Sequence, residues 1–174
     1  MLHTDIVLRR SKINEKGLFA RKSIPKGTVV WVLTKKDKVW TSQEYKRLDS
    51  NYRKKIHKYV YFEDNGDAIL IDRISRHRNH SCNPNTSHCS RIGMDIALRD
   101  IKKGEEITYE YAFLLLSGEK LVCNCESKNC RKVIKRLSEN SRVIKRLYRL
   151  ANQAAKDINK VKQPLLKNPL IAQR

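Results

Sequence analysis

The decapeptide Arg76–Asn85, RHRNHSCNPN, sets two histidines and a cysteine beside Asn-Pro-Asn, with basic residues in front. Taken alone it reads as a metal site, a nucleophile site or a polar loop. The rest of the chain decides between them, beginning with the other cysteines.

There are five: Cys82, Cys89, Cys123, Cys125 and Cys130. The N-terminal stretch MLHTDIVLRRSKINEKG has no apolar run of signal-peptide length, and no segment approaches the roughly 18 apolar residues that cross a bilayer. The chain therefore reads as soluble and intracellular, with no membrane span, and there clustered thiols favour metal over disulfides. Cys123-Asn-Cys125-Glu-Ser-Lys-Asn-Cys130 is a C-x-C-x4-C cluster. Its three thiolates are one short of the four N or S ligands of a tetrahedral structural zinc site. Cys82, Cys89, His80 and His88 are the candidates for the fourth.

Up to about residue 115 the pattern is one of short strands and turns. Apolar runs at Ile6 to Leu8 and Val29 to Leu33 are separated by the turn signals Lys16-Gly17 and Pro25-Lys26-Gly27. Thr41-Ser-Gln-Glu44 fits a capping box, and Tyr45, Leu48, Tyr52, Ile56 and Tyr59 step by three or four, predicting a helix from about 42 to 57. YVYFEDNGDAILID is two alternating runs around Asn65-Gly66, a hairpin signal. A strand around Asp95 to Leu98, a turn at Lys102 to Glu105 and the strand-like EITYEYAF follow.

The chain of 174 residues carries a net charge of +20, with a pI near 10.0. Attraction to a polyanion is the simplest reading, nucleic acid before anionic membrane. Residues 131–174 hold thirteen Lys/Arg against Glu139 and Asp157 alone, so the tail is a separate unit in charge. Within it Val143, Leu147, Leu150, Ala154, Ile158 and Val161 form an apolar stripe of about three heptads, flanked by Arg142, Lys145, Arg146, Arg149 and Lys156 and ended by Pro164 and Pro169. The stripe packs on the strands, forms a dimer seam, or backs a helix that faces nucleic acid.

Four segments together carry a resemblance. RHRNHSCNPN resembles the R-F-x-N-H-S-C-x-P-N signature of SET-domain protein-lysine methyltransferases, and GEEITYEYAF their G-E-E-L-T-Y-D-Y strand. CNCESKNCRKVI resembles the post-SET zinc loop, and NEKGLFARKSIPKGTVV the N-terminal G-x-G-L-F-A segment. They occur in the family's order over residues 6–134, with trithorax or mixed-lineage-leukaemia enzymes the nearest type. The resemblance implies a mainly β fold, a β-clip whose N-H-S-C segment and Tyr111 strand form a pseudoknot, followed by a basic C-terminal helix. It divides the chain into a SET domain (1–115), a post-SET loop (116–136) and a helical tail (137–174).

It also implies roles. Cys82 joins Cys123, Cys125 and Cys130 on Zn2+, leaving Cys89 and His88 as spectators. Lys16, Gly17, Phe19, Arg76, Asn79 and His80 hold S-adenosylmethionine, Tyr111 is the catalytic tyrosine, and Tyr109 occupies the Phe/Tyr switch position. The sequence departs from the pattern at Glu15 and Glu126, which stand where glycines are usual, and at His77 and Arg78, which replace Phe and an apolar residue.

The chemistry explains why tyrosines are wanted. A lysine amine has a pKa near 10.4, so only one part in about 2,500 is neutral at pH 7, and neutralising it costs about 4.6 kcal/mol. An apolar channel and a neighbouring sulfonium both disfavour the ammonium. Ring faces exclude water, and hydroxyls aim the amine's lone pair. Tyr111, Tyr109 and either both or neither of Tyr59 and Tyr61 line that channel, according to register.

A tyrosine at the switch position predicts mono- or dimethylation. The expected substrate is a histone or another basic nucleoid protein, met in a nucleus, on a bacterial nucleoid or in a host nucleus. Glu63, Asp64, Asp67, Asp72, Glu105, Glu106 and Glu110 gather around the channel to receive it, while the tail contacts nucleic acid. The competing reading is a catalytically weak SET-like module that binds nucleic acid through its tail. A metal-dependent hydrolase using His77 and His80 lacks a carboxylate at ligand spacing.

Overall fold

The computed structural model describes residues 1–167 apart from Lys36, Asp64, Leu116 and Ser117. Asp64 of the acidic set and Pro169 of the tail thus lie outside the described residues. The strands are β1 (Ile6–Arg10), β2 (Lys16–Ala20), β3 (Val29–Trp31), β4 (Lys38–Trp40), β5 (Val60–Phe62), β6 (Ala68–Leu70), β7 (Thr86–Cys89), β8 (Met94–Ala97), β9 (Glu106–Ile107), β10 (Lys120–Val122) and β11 (Val133–Lys135). The helices are α1 (Ser42–Arg47), α2 (Ser50–Ile56) and α3 (Arg142–Ala155). The outcome is the mainly β fold with one C-terminal helix that the motifs imply.

The strands form four small antiparallel sheets: β1-β2-β9, β3-β8-β7, β4-β6-β5 and β10-β11. Strand alternation builds the main core. Leu18 and Ala20 of β2 turn inward with Ile107 of β9 and meet Val30 and Ala97 of the second sheet, while Ile24 and Ile101, themselves bridged, close the end. Each fully buried aliphatic contributes about 1.5–3 kcal/mol.

Two segments differ from the periodicity reading. The predicted helix is broken into α1 and α2. Thr41 makes the expected capping box with Glu44, but Asp49 caps a second helix by accepting from the Tyr52 N–H, and Leu48 is extended at ψ 148°. A side chain that satisfies an orphan N–H mid-pattern starts a new helix there. EITYEYAF is strand only at Glu106–Ile107, and Tyr111–Phe113 is a 3-10 turn in which Glu110 accepts from the Ala112 N–H and His80 from the Tyr111 N–H.

The tail, distinct in charge, is not distinct in packing. α3 ends at Ala155, short of the predicted three heptads, with a separate 3-10 turn at Ile158–Lys160. Leu147, Ala151, Ala154 and Ala155 pack on Cys89, Ile96 and Leu98, so the apolar stripe is covered by the chain's own second sheet. Beyond it Gln163 accepts from the Val29 N–H at 2.9 Å and donates to the Gly27 carbonyl at 2.8 Å. Leu165 is buried against Val29 and Val32.

Candidate active site and metal centre

The quoted stretch and the EITYEYAF segment lie against each other, as expected. The Tyr109 N–H donates to the Asn79 carbonyl at 2.9 Å and the Ser81 N–H to the Tyr109 carbonyl at 3.0 Å, with a parallel bridge between His80 and Tyr109. Asn85, given no role by the sequence reading, extends this pairing with its side chain. Its Oδ1 accepts from the Thr108 N–H at 2.9 Å and its Nδ2 donates to the Glu106 carbonyl at 2.8 Å. A buried amide thus satisfies two backbone groups that no strand neighbour reaches.

A cavity of about 860 Å³ opens beside this junction, with Trp31, Leu33, Tyr61, Tyr109, Phe113 and Tyr148 in its wall. That is the size of a small-molecule or side-chain pocket. Tyr61 reaches it but Tyr59 does not, contrary to the both-or-neither expectation. The strand begins only at Val60, and Tyr59 sits in the preceding 3-10 turn beneath Arg76, whose Cζ is 4.0 Å from its ring centroid.

Arg78 is also in the wall, paired with Asp95 at 2.6 Å and lying 4.3 Å from the Tyr109 ring centroid. Tyr111, expected to line the channel, does not itself form part of the wall; its hydroxyl donates to the carbonyl of Arg78, which does, at 2.9 Å. Burial pushes both tyrosines above the usual phenol value, for Tyr109 with the Asp95 carboxylate adding to it. Both are neutral at physiological pH, so neither is a phenolate base. With its proton committed to Arg78, the Tyr111 oxygen is left as an acceptor.

On the other side of the junction Asn79 Nδ2 lies 2.9 Å from the Lys16 carbonyl and 2.7 Å from Glu106 Oε1. Gly17 is required here, because a Cβ would fall 2.1 Å from Glu106 Oε1. His77 is held below its usual value by burial and then by the charges of Lys16 and Arg76. His77 thus has the cations Lys16 and Arg76 as its charged neighbours. Phe19 is half-buried on β2. His80 is buried, and its ring offers nothing further to a ligand: Nδ1 accepts from the Tyr111 N–H at 3.1 Å. That fixes the Nε2–H tautomer, whose proton points at Cys82 Sγ, 3.3 Å away. Burial, then Arg131, lowers the ring to about 4, so it stays neutral.

At two of the departures the backbone shows why glycine is usual. Glu15 has φ +35° and Glu126 φ +52°. Both adopt the left-handed region that costs other residues about 1–2 kcal/mol and glycine nothing. Glu15→Gly is expected to raise the unfolding free energy by about 0.5–1 kcal/mol after glycine's own entropy cost. Urea denaturation measures it, and lower stability would mean the Glu15 side chain makes a contact worth more than the strain.

Cys82, Cys123, Cys125 and Cys130 bring their sulfurs within 4.8 Å of one another. Zn–S bonds near 2.3 Å require tetrahedral edges of about 3.8 Å, and the Cys82–Cys123 separation is 3.8 Å. The four thiols therefore fit a tetrahedral soft-metal site. Burial opposes ionisation of Cys125, but the Cys82 N–H and the Ser127 hydroxyl bring its thiol down to about 6. Cys89 instead packs under α3, and His88 bonds Asp95 at 3.1 Å.

Arg131, given no role by the sequence, and Glu110, expected among the acidic residues that receive the substrate but buried and paired instead, lock this centre to the tyrosine segment. Arg131 donates from its backbone N–H and its Nε to Cys82 Sγ, at 3.3 Å each, and from Nη2 to both oxygens of Glu110 at 2.6 and 2.7 Å. Glu110 is fully buried. Nothing in the spacing of Glu110 and Arg131 joins them.

Comparison with known proteins bears on this arrangement. The SET domain family profile matches residues 15–112. The histone-lysine N-methyltransferase trr of Drosophila melanogaster is 31% identical over 137 residues, 74% of this chain and 6% of its own length. Trithorax of Drosophila virilis is 34% identical over 137 residues, 72% of this chain and 3% of its own length. Human histone-lysine N-methyltransferase 2B is 33% identical over 141 residues, 72% of this chain and 5% of its own length. The chain thus spans only a small fraction of these relatives.

Proposed function

This chain belongs to the SET-domain family, and we propose that it methylates a lysine of a histone or another basic, nucleic-acid-associated protein, with S-adenosylmethionine as donor. The observation that carries the reading is the Tyr111 hydroxyl, whose proton is committed at 2.9 Å to the carbonyl of Arg78, a residue of the cavity wall, which leaves its oxygen as an acceptor. Bound S-adenosylmethionine would supply a sulfonium methyl, whose C–S electron pair returns to sulfur as the amine lone pair forms the N–C bond. Lys16, Gly17, Phe19, Arg76 and Asn79 would hold it, with His80 contributing through its backbone. Tyr61, Tyr109 and Phe113 exclude water from the amine. Tyr111 accepts one amine N–H and leaves the lone pair directed along the reaction axis. The metal of the four-thiol site would be Zn2+, with a structural role.

Tritiated methyl transfer to mixed core histones, with mass spectrometry of the product, tests this. We expect mono- and dimethyl-lysine from the wild type and a higher final state from Tyr109→Phe, which vacates the space of one hydroxyl. Absence of labelling on histones and basic nucleoid proteins alike would overturn the reading. It would favour the competing one, a weak SET-like module that holds nucleic acid.

Nucleic acid contact also enters the proposal, and not through the tail alone. Lys145, Arg146 and Arg149 of α3 are exposed beside Tyr148 of the cavity wall. Lys46, Arg47, Lys54, Lys55 and Lys58 are exposed on and after α1 and α2, whose Tyr45 packs at 5.2 Å on Phe62, also of the cavity wall. Exposed cations thus stand on two elements that reach the cavity wall through Tyr45 and Tyr148, so charge reversal of α2 (Lys54→Glu with Lys55→Glu) is expected to lower the salt dependence of DNA binding by about two counterions. An unchanged slope would confine the contact to the tail.

A further inference from the structure

The cavity holds more than one side chain. At about 860 Å³ it lies near the upper end of the roughly 300–1,000 Å³ of pockets that enclose whole small molecules, so a single extended lysine leaves much of it empty. Its wall has two distinct parts. Tyr109 and Phe113, with ring centroids 6.0 Å apart, form the part read as the lysine site. Ile92, in the turn between β7 and β8, and Met94, the first residue of β8, form the other. A short run of contacts connects them. The Arg78 Cζ lies 4.3 Å from the Tyr109 ring centroid, its Nη2 is 2.6 Å from the Asp95 carboxylate, and Asp95 follows Met94 on β8. The two parts thus stand about one ion pair apart. The charges of that pair balance each other, and what Ile92 and Met94 present beyond it is hydrocarbon.

Ile92 and Met94 are only half-buried. Each packs against the buried cluster of Val29, Val32 and Leu165 and keeps uncovered area at the cavity wall. Apolar area left in water beside a binding site is area that a ligand can cover, and a methionine adapts to the shape that covers it. We propose that Ile92 and Met94 form a subsite for an apolar side chain of the substrate peptide, two residues away from the target lysine. The inference rests on the reading of Tyr109 and its neighbours as the lysine site, and it names a feature of the peptide that enters there. The spacing follows from backbone geometry. In an extended peptide, adjacent side chains point to opposite faces, whereas residues two apart share a face and are offset by about 6.5 Å. When the lysine turns into the cavity, its immediate neighbours turn away and its next-but-one neighbour turns in.

Short lysine peptides, otherwise alanine, serine and glycine, with one leucine moved through the positions on either side of the lysine, test this by tritiated methyl transfer. Binding would be followed by calorimetry. Leucine two residues from the lysine, on one side, should lower KM about tenfold relative to alanine there. The kcat should not change, because contact remote from the reacting atoms stabilises bound substrate and transition state alike. Met94→Gln should abolish the advantage of that leucine while leaving the alanine peptide's kcat and KM as they are, and Met94→Leu should restore it. Ile92→Thr, in the turn, is a second variant with the same expected loss, and thermal melts establish that each is folded.

Equal KM for every leucine position, a preference for leucine next to the lysine, or an advantage that survives in folded Met94→Gln and Ile92→Thr overturns the subsite. So does an enzyme that labels histones but none of these peptides. Each of those results leaves the methyltransferase reading intact. Absence of transfer to peptides and histones alike overturns both.

Discussion

Cys82→Ser is expected to lose stoichiometric metal and, with it, the alignment of the tyrosine segment. The sulfur is one of four converging thiols, and it also accepts two hydrogen bonds from Arg131 and faces the His80 Nε2–H. Removing an outer partner of a metal ligand costs up to about 100-fold in affinity, and removing a ligand itself costs more. The loss propagates because the same Arg131 is the partner of the fully buried Glu110, and breaking a buried pair of that kind costs about 3–5 kcal/mol. Metal analysis combined with hydrogen exchange should find amide protection lost both in residues 123–135 and in residues 108–112. Loss of protection confined to the first of these would refute the coupling.

Tyr111→Phe is the second large effect. Removing an oriented hydrogen-bonding group from a reacting centre typically lowers turnover by about 10²–10³, and we expect kcat to fall in that range. The peptide KM should change little, because the ring is retained. Stability should fall by about 1 kcal/mol for the lost bond to the Arg78 carbonyl. The pH profile carries a further signature. Burial raises the Tyr111 phenol above its ordinary value near 10, so its neutral form is the folded form and the stability it contributes is lost only as the pH climbs through the folded value. Wild-type rate should therefore rise with pH as the lysine deprotonates, without a phenol-linked downturn near pH 9. Such a downturn, absent from Tyr111→Phe, would make the phenol's own ionisation part of the rate.

Short motifs made the site legible because each bears its function locally. Asn79 to Cys82 supply the partner strand for Tyr109, and Cys123 to Cys130 bring three sulfurs together within one loop. The departures at Glu15 and Glu126 were legible as substitutions but not as strain, since φ is a property of the folded loop and the side chain alone does not declare it. Helix periodicity ran through Leu48 because apolar spacing is blind to a capping side chain such as Asp49. Long-range pairings were hidden most completely. Arg131 with Glu110, Arg78 with Asp95 and Gln163 with Gly27 and Val29 each join residues that no local pattern relates.

The last of these pairings bears on how the molecule comes into being. Every side chain proposed to meet donor or amine lies at or before Phe113 in the chain. The sulfur loop and Arg131 arrive later, and Gln163 and Leu165, which cover the edge of β3, later still. The nascent chain thus carries a complete set of reactive groups well before it has the parts that immobilise them. The proposed transfer should therefore require residues as far as Leu165, which residues 1–113 alone do not supply.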